Sequence, residues 1–194
     1  MTGPANISSQ PMAATGHDEL MQLVRDCIAG NRNAQRKMYD TYAPVVYGVI
    51  RRYLFNKEAA EEVLNDTFFK VFTKLEQYEF KGSLEGWMRR IAINRITDYL
   101  RKHGKFENEV HPDPETHPIE GYVADNQVGK LSYKELLVLI HQLPDTHRMV
   151  FNLYVFEDMM HKEIATLVGI SEGNSRWYLN DARRKLKENI INHM

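Results

Sequence analysis

The chain has 194 residues, 43% of them hydrophobic and 26% charged, with a formal net charge of -1. That balance suits a water-soluble globular protein and excludes wholesale disorder, which needs few apolar residues and a strong charge surplus. No apolar run approaches the ~20 residues that cross a bilayer, and the lone Cys27 has no internal disulfide partner, so a reduced, cytoplasmic setting is expected.

Residues 1–17 are rich in Gly, Ser, Pro, Ala and Asn and lack apolar periodicity, so they read as a disordered leader; they also lack the basic-then-hydrophobic order of an export signal. From 18 to 103 apolar residues recur at helical spacing in four runs, broken near Gly30-Asn31, Phe55-Asn56 and Lys81-Gly82-Ser83. A four-helix module over 18–104 is expected, because the chain length fits two small bundles better than one.

In its third helix Ala60, Val63, Leu64, Thr67, Phe68, Val71 and Phe72 form the packed stripe, while Glu58, Glu61, Glu62, Asn65 and Asp66 form the polar side. Phe69 stands outward beside Glu62 and Asp66. An exposed aromatic bordered by carboxylates suits partner docking, and a solvated acidic face is the plainer alternative.

The fourth helix follows Tyr78-Glu79-Phe80-Lys81-Gly82-Ser83-Leu84-Glu85-Gly86-Trp87. Met88, Ile91, Ile96 and Leu100 supply its packed side, and Trp87, Arg90, Asn94, Thr97 and Arg101 align on another face. An aromatic, two guanidiniums and an amide on one face suit single-stranded nucleic acid, where bases stack on rings and cations track phosphates. Phe80 and Trp87 fit a packed core equally well.

Charge is then sorted along the chain: residues 81–105 hold seven Lys/Arg against Glu85 and Asp98, whereas 106–130 hold six acids against Lys130 alone. With Pro112, Pro114 and Pro118, residues 105–130 read as a flexible linker.

A second helical module is expected over 131–194, with helices near 132–142, 145–156, 161–168 and 171–192. Pro144 suits the first turn of one helix and Ser171 the cap of another. Ala165 is small where two helices approach, Gly169 suits a left-handed turn, and Ile170 plugs the core, which together read as a helix-turn-helix. Its second helix turns Leu179, Ala182, Leu186 and Ile190 inward and Arg176, Asn180, Arg183 and Lys187 outward, a donor face of the width of the DNA major groove. A helical hairpin with solvated basic residues is the plainer alternative.

The eight histidines show no metal-ligand spacing, and no Gly-rich phosphate loop or nucleophile-base signature is present, so no catalytic residue, metal or cofactor is expected. Two rivals remain open. An ordinary helix-turn-helix regulator accounts for the C-terminal motif, and a helical metal-dependent nucleotide pyrophosphatase accounts for Glu58, Glu61, Glu62 and Asp66, although no second Glu-x-x-Asp helix completes its site.

Three stretches in order, Ala60-Glu61-Glu62-Val63-Leu64-Asn65-Asp66-Thr67-Phe68-Phe69-Lys70-Val71-Phe72, Trp87-Met88-Arg89-Arg90-Ile91-Ala92-Ile93-Asn94-Arg95-Ile96-Thr97-Asp98-Tyr99-Leu100-Arg101 and Leu143-Pro144 with Arg148-Met149-Val150-Phe151, resemble motifs of the extracytoplasmic-function sigma factors, the minimal branch of the sigma-70 family. The resemblance implies an all-α fold, with a region 2 module and a helix-turn-helix region 4 module joined by a flexible linker. It implies core RNA polymerase as partner, held at Glu62, Asn65, Asp66 and Phe69. Promoter DNA would be met at the minus-ten element by Phe80, Lys81, Ser83, Trp87, Arg90, Asn94 and Arg101. At the minus-thirty-five element it would be met by Ser175, Arg176, Trp177, Asn180, Arg183 and Lys187. An anti-sigma factor is a further implied partner. Asn65-Asp66 stand where Gln-Glu is common in that family, and Asp181 stands where a base is frequent; Asp181 repels phosphate unless it pairs with Arg184 or accepts from cytosine.

Overall fold

The computed structural model describes residues 12–103, 106 and 132–192, so the linker expected at 105–130 lies outside the described residues except for Phe106, as does the leader up to residue 11. Every described element is helical: α1 (Met12–Ile28), α2 (Arg32–Tyr53), α3 (Lys57–Lys74), a 3-10 turn at Leu75–Gln77, α4 (Leu84–Lys102), α5 (Tyr133–His141), α6 (Asp145–Val155), α7 (His161–Val168) and α8 (Glu172–Asn192). α1 starts ahead of the expected onset at Asp18, so residues 12–17 of the expected disordered leader are helical.

The breaks are set by local chemistry. Gly30, at φ 78°, ends α1, and the Asn31 side chain then accepts from the Asn33 and Ala34 amides to start α2. Asn56 caps α3 through the Ala59 amide at 2.7 Å, and Ser83 caps α4 through the Gly86 amide at 3.0 Å. Ser132 and Glu135 form a reciprocal capping box at α5, and Gly169, at φ 85°, makes the left-handed turn between α7 and α8.

The N-terminal helices close on Val24 and Cys27 of α1, Met38, Val46 and Ile50 of α2, Val63, Phe68 and Val71 of α3, and Met88, Ala92 and Ile96 of α4. Fully burying such a side chain contributes about 1.5–3 kcal/mol. In the C-terminal part α6, α7 and α8 pack through Met149, Leu153, Ile164, Tyr178 and Leu179. The two modules are not separate bodies here. Met149, Val150, Leu153, Ile164, Val168, Tyr178 and Leu179 join the same apolar cluster as the N-terminal core, while Leu139, Ile140, Leu143, Ala182 and Leu186 form a satellite cluster between α5 and α8.

Candidate nucleic-acid interface

Three surfaces answer to the three sets of candidate residues. On α3, Ala59, Ala60, Val63, Leu64, Thr67, Phe68 and Val71 are buried, which turns Glu62, Asn65, Asp66 and Phe69 outward; the Phe69 ring is 68% exposed. Beside them α2 and α3 leave an open groove of about 510 Å³, lined by Tyr39, Asp40, Pro44, Tyr47, Glu61 and Asn65. The α2 side of this groove is absent from the sequence reading. Its only local sign is Pro44 inside a helix, where it removes one backbone donor. The acidic residues stay spread along an exposed face, and among the described residues no group of three or more His, Cys, Asp or Glu converges as a metal site would require.

The loop before α4 is shaped by Tyr78, whose hydroxyl donates to the Gly82 carbonyl at 2.8 Å. Phe80 holds the left-handed conformation at φ 57°, unusual for a residue with a side chain. Its ring centre lies 4.8 Å from that of Tyr78, and the Trp87 ring centre lies 5.6 Å from it; Phe80 and Trp87 are both half-buried. Arg90 and Asn94 are exposed, and Asn94 leans on its own helix by donating to the Arg90 carbonyl at 3.0 Å. Lys81 pairs with Glu79 at 2.6 Å, and Ser83 is spent on capping α4. Thr97 leaves this face: it is buried and donates to the Ile93 carbonyl at 2.8 Å, because α4 is covered by α2 and α3 over an arc wider than one stripe. Arg101 is divided between Asp98 at 3.3 Å and the Leu167 carbonyl of α7 at 3.0 Å.

On α8 Leu179, Ala182 and Leu186 face inward and Ile190 packs beside them. Lys187 is exposed, with Arg176, Asn180, Trp177 and Arg183 half-exposed. Arg176 pairs with Glu172 one turn back, and the Arg183 guanidinium lies over Tyr154, 5.6 Å from the ring centre. Ser175 must be removed from the reading face: it is fully buried and bonded to His161 Nδ1 at 3.0 Å, inside the turn of the helix pair.

Asp181 meets the first of its two expected alternatives. His147 Nε2 donates to it at 2.9 Å, Arg184 Nε at 3.0 Å, and Lys185 lies 3.6 Å away. Burial pushes the Asp181 carboxyl up, but the Arg184 bond, the Lys185 and Arg184 charges and the His147 bond outweigh it and hold it below its ordinary value. Its charge is thus consumed in clasping α8 to α6. A carboxyl depressed in the folded state stabilises above its unfolded value, and that stabilisation is lost as pH falls through the folded value. Asp181→Asn is therefore expected to lower the thermal midpoint at pH 7, and the gap from wild type is expected to close as pH falls below the ordinary carboxylate range. Equal midpoints at pH 7, or a gap unchanged down to pH 3, would remove the clasp.

With the geometry in place, two family patterns match the chain: Sigma-70 region 2 over residues 38–106 and Sigma-70, region 4 over residues 133–186. The chain is 29% identical over 156 residues to the ECF RNA polymerase sigma factor SigM of Bacillus subtilis, covering 78% of this chain and 91% of that protein. It is 27% identical over 158 residues to the ECF RNA polymerase sigma factor SigE of Mycolicibacterium smegmatis, covering 78% of this chain but 60% of that protein. Its fold is like that of the sigma factor RpoE of Bartonella quintana, solved in complex with the anti-sigma factor NepR, with a TM-score of 0.50 at 18% identity over 81% of this chain and 96% of that one.

Proposed function

This chain belongs to the sigma-70 family, in the extracytoplasmic-function branch whose members are RNA polymerase sigma factors directing promoter recognition, and from that membership we propose how its surfaces divide the work. Residues 18–104 bind core polymerase through Glu62, Asn65, Asp66 and Phe69 and the neighbouring groove. The same module holds the opened minus-ten strand with Phe80, Lys81, Ser83, Trp87, Arg90, Asn94 and Arg101. Residues 131–194 read the duplex minus-thirty-five element with Arg176, Trp177, Asn180, Arg183 and Lys187, and residues 105–130 tether the two. The observation that carries this reading is the separation of faces: α3 presents carboxylates and an exposed aromatic, whereas α4 and α8 present cations and amides.

Opening needs no bond chemistry under this reading. Unstacking a base costs a few kcal/mol, and stacking on an aromatic with phosphate contacts returns a comparable amount on the displaced strand. We read the factor as non-enzymatic and as acting in the cytoplasm with polymerase; no helix among the described residues is long and apolar enough to cross a membrane. Its partners are core RNA polymerase, promoter DNA and an anti-sigma factor, the last by analogy with RpoE of Bartonella quintana, a chain of similar fold.

Run-off transcription on a genomic library with core polymerase and the full chain tests the reading. Discrete transcripts that appear only when the chain is added are expected. Initiation at no template would overturn it, and tight duplex binding without polymerase would favour the regulator instead.

A further inference from the structure

A long cationic side chain on an exposed helix face samples many rotamers, and freezing it on binding subtracts from affinity. A guanidinium already held where its partner arrives avoids that loss, provided the hold leaves its N–H donors usable. A carboxylate takes those donors, as Glu172 does from Arg176 on α8. An aromatic ring engages the charge instead.

Arg183 of α8 is held in this second way. Its guanidinium carbon lies 5.6 Å from the centre of the Tyr154 ring, near the end of α6. That ring is itself braced: His161, the first residue of α7, stacks on it with ring centres 4.8 Å apart and planes at 23°. His161 Nδ1 is in turn hydrogen-bonded to Ser175 Oγ at 3.0 Å, and Ser175 is fully buried. Three helices thus meet at one cation: α6 supplies the ring, α7 the imidazole that braces it, and α8 both the anchor and the cation. Burial first, then the charges of Arg176 and Arg183, hold the His161 imidazole below its ordinary value against the opposing pull of Glu172. At neutral pH the brace is therefore uncharged, and the cation over Tyr154 is Arg183. The Tyr154 ring is 36% exposed, so the core through Met149, Leu153 and Ile164 does not depend on it.

Resting on the assignment of Arg183 to the minus-thirty-five element, we propose that Tyr154, braced by His161, is a positioning residue that aims Arg183 at a guanine in the major groove and so sets the base read at one position. Guanine presents O6 and N7 side by side on its major-groove edge, where two coplanar N–H groups of a guanidinium match them; no other base offers two acceptors there. A guanidinium without a hold can swing to a neighbouring phosphate, which keeps its charge useful but carries no sequence information. The ring therefore contributes discrimination more than attraction.

The test uses holoenzyme assembled from core polymerase and the full chain, on a promoter fragment taken from the run-off experiment. Each guanine of its minus-thirty-five element, on either strand, is replaced in turn by 7-deazaguanine, which lacks the N7 acceptor. Arg183→Ala identifies the position, as the guanine whose replacement weakens wild-type binding but no longer weakens that of the variant. Tyr154→Ala is expected to abolish the penalty at that same guanine and to weaken binding to the unmodified fragment by about 2- to 30-fold, the factor a cation–π contact is worth between exposed and desolvated sites. Its salt dependence is expected to stay that of wild type, because the charge of Arg183 remains. Tyr154→Phe keeps the ring and is expected to restore the wild-type pattern, while His161→Asn, which has no ring to stack, is expected to fall between. Should Tyr154→Ala lose helix content, the contrast between Tyr154→Phe and His161→Asn decides. Weakening of Tyr154→Ala by one factor on every fragment would make the ring merely structural and overturn the proposal, and so would a full penalty retained in that variant. If Arg183→Ala matches wild type at every guanine, the proposal fails together with the assignment of Arg183 to base reading.

Discussion

Replacing Asn65 and Asp66 together by Ala is expected to weaken association with core RNA polymerase by about 10- to 100-fold, the size of loss seen when central residues of a protein interface are truncated. Both side chains are exposed on α3, one turn from Glu62 and Phe69, and Asn65 also lines the groove shared with Tyr39 and Tyr47. The core stripe through Val63, Phe68 and Val71 lies on the opposite side, so the substitutions leave packing alone, and Ala is the stronger helix former. Titration of fluorescently labelled chain with core polymerase measures the loss, and an unchanged thermal midpoint shows that the fold is spared. Wild-type affinity in the double variant would reject α3 as the docking surface.

Phe80→Gly is expected to reduce the rate of promoter opening by roughly 5- to 150-fold, the equivalent of the 1–3 kcal/mol that one stacked base contributes, while leaving initial duplex binding nearly unchanged. Glycine is the informative replacement, because Phe80 already sits at φ 57°, where a side chain is strained and glycine is not. Trp87→Ala should give the same direction of effect but mixes in lost packing against Tyr78, so Trp87→Phe serves as its companion. Permanganate reactivity of thymines in the opened region reads the opening step, and a footprint on the closed complex reads binding. Equal loss in both measurements would make Phe80 a structural ring instead of a stacking platform.

Much of the local architecture was legible because it is written in short-range chemistry. Asn31, Asn56, Ser83 and Ser132 cap helices through amides two to three residues away, and Gly169 takes the left-handed turn, so each boundary depends on neighbours in the chain. The outward face of α3 follows as directly, since one stripe of that helix is buried and the other is not. Periodicity falters where a helix is covered from two sides. It assigns a face but not the width of the buried arc, so Thr97 reads as outward although α4 packs against both α2 and α3; Ser175, placed on the reading face by the family resemblance and not by spacing, is buried as well.

What the sequence determined by itself is therefore the set of helices and the separation of an acidic face, with its exposed aromatic, from two cationic ones, all products of interactions within a few residues. The fate of Asp181, the second wall of the groove and the packing of one module on the other were decided only in three dimensions. That packing shows the reason: His141, Arg148 and Asn152 look in the sequence like ordinary polar positions on helices, and what they bind are main-chain carbonyls 90 to 100 residues away. Every residue carries that same carbonyl whatever its side chain, so no pattern of residue types can announce it as a partner.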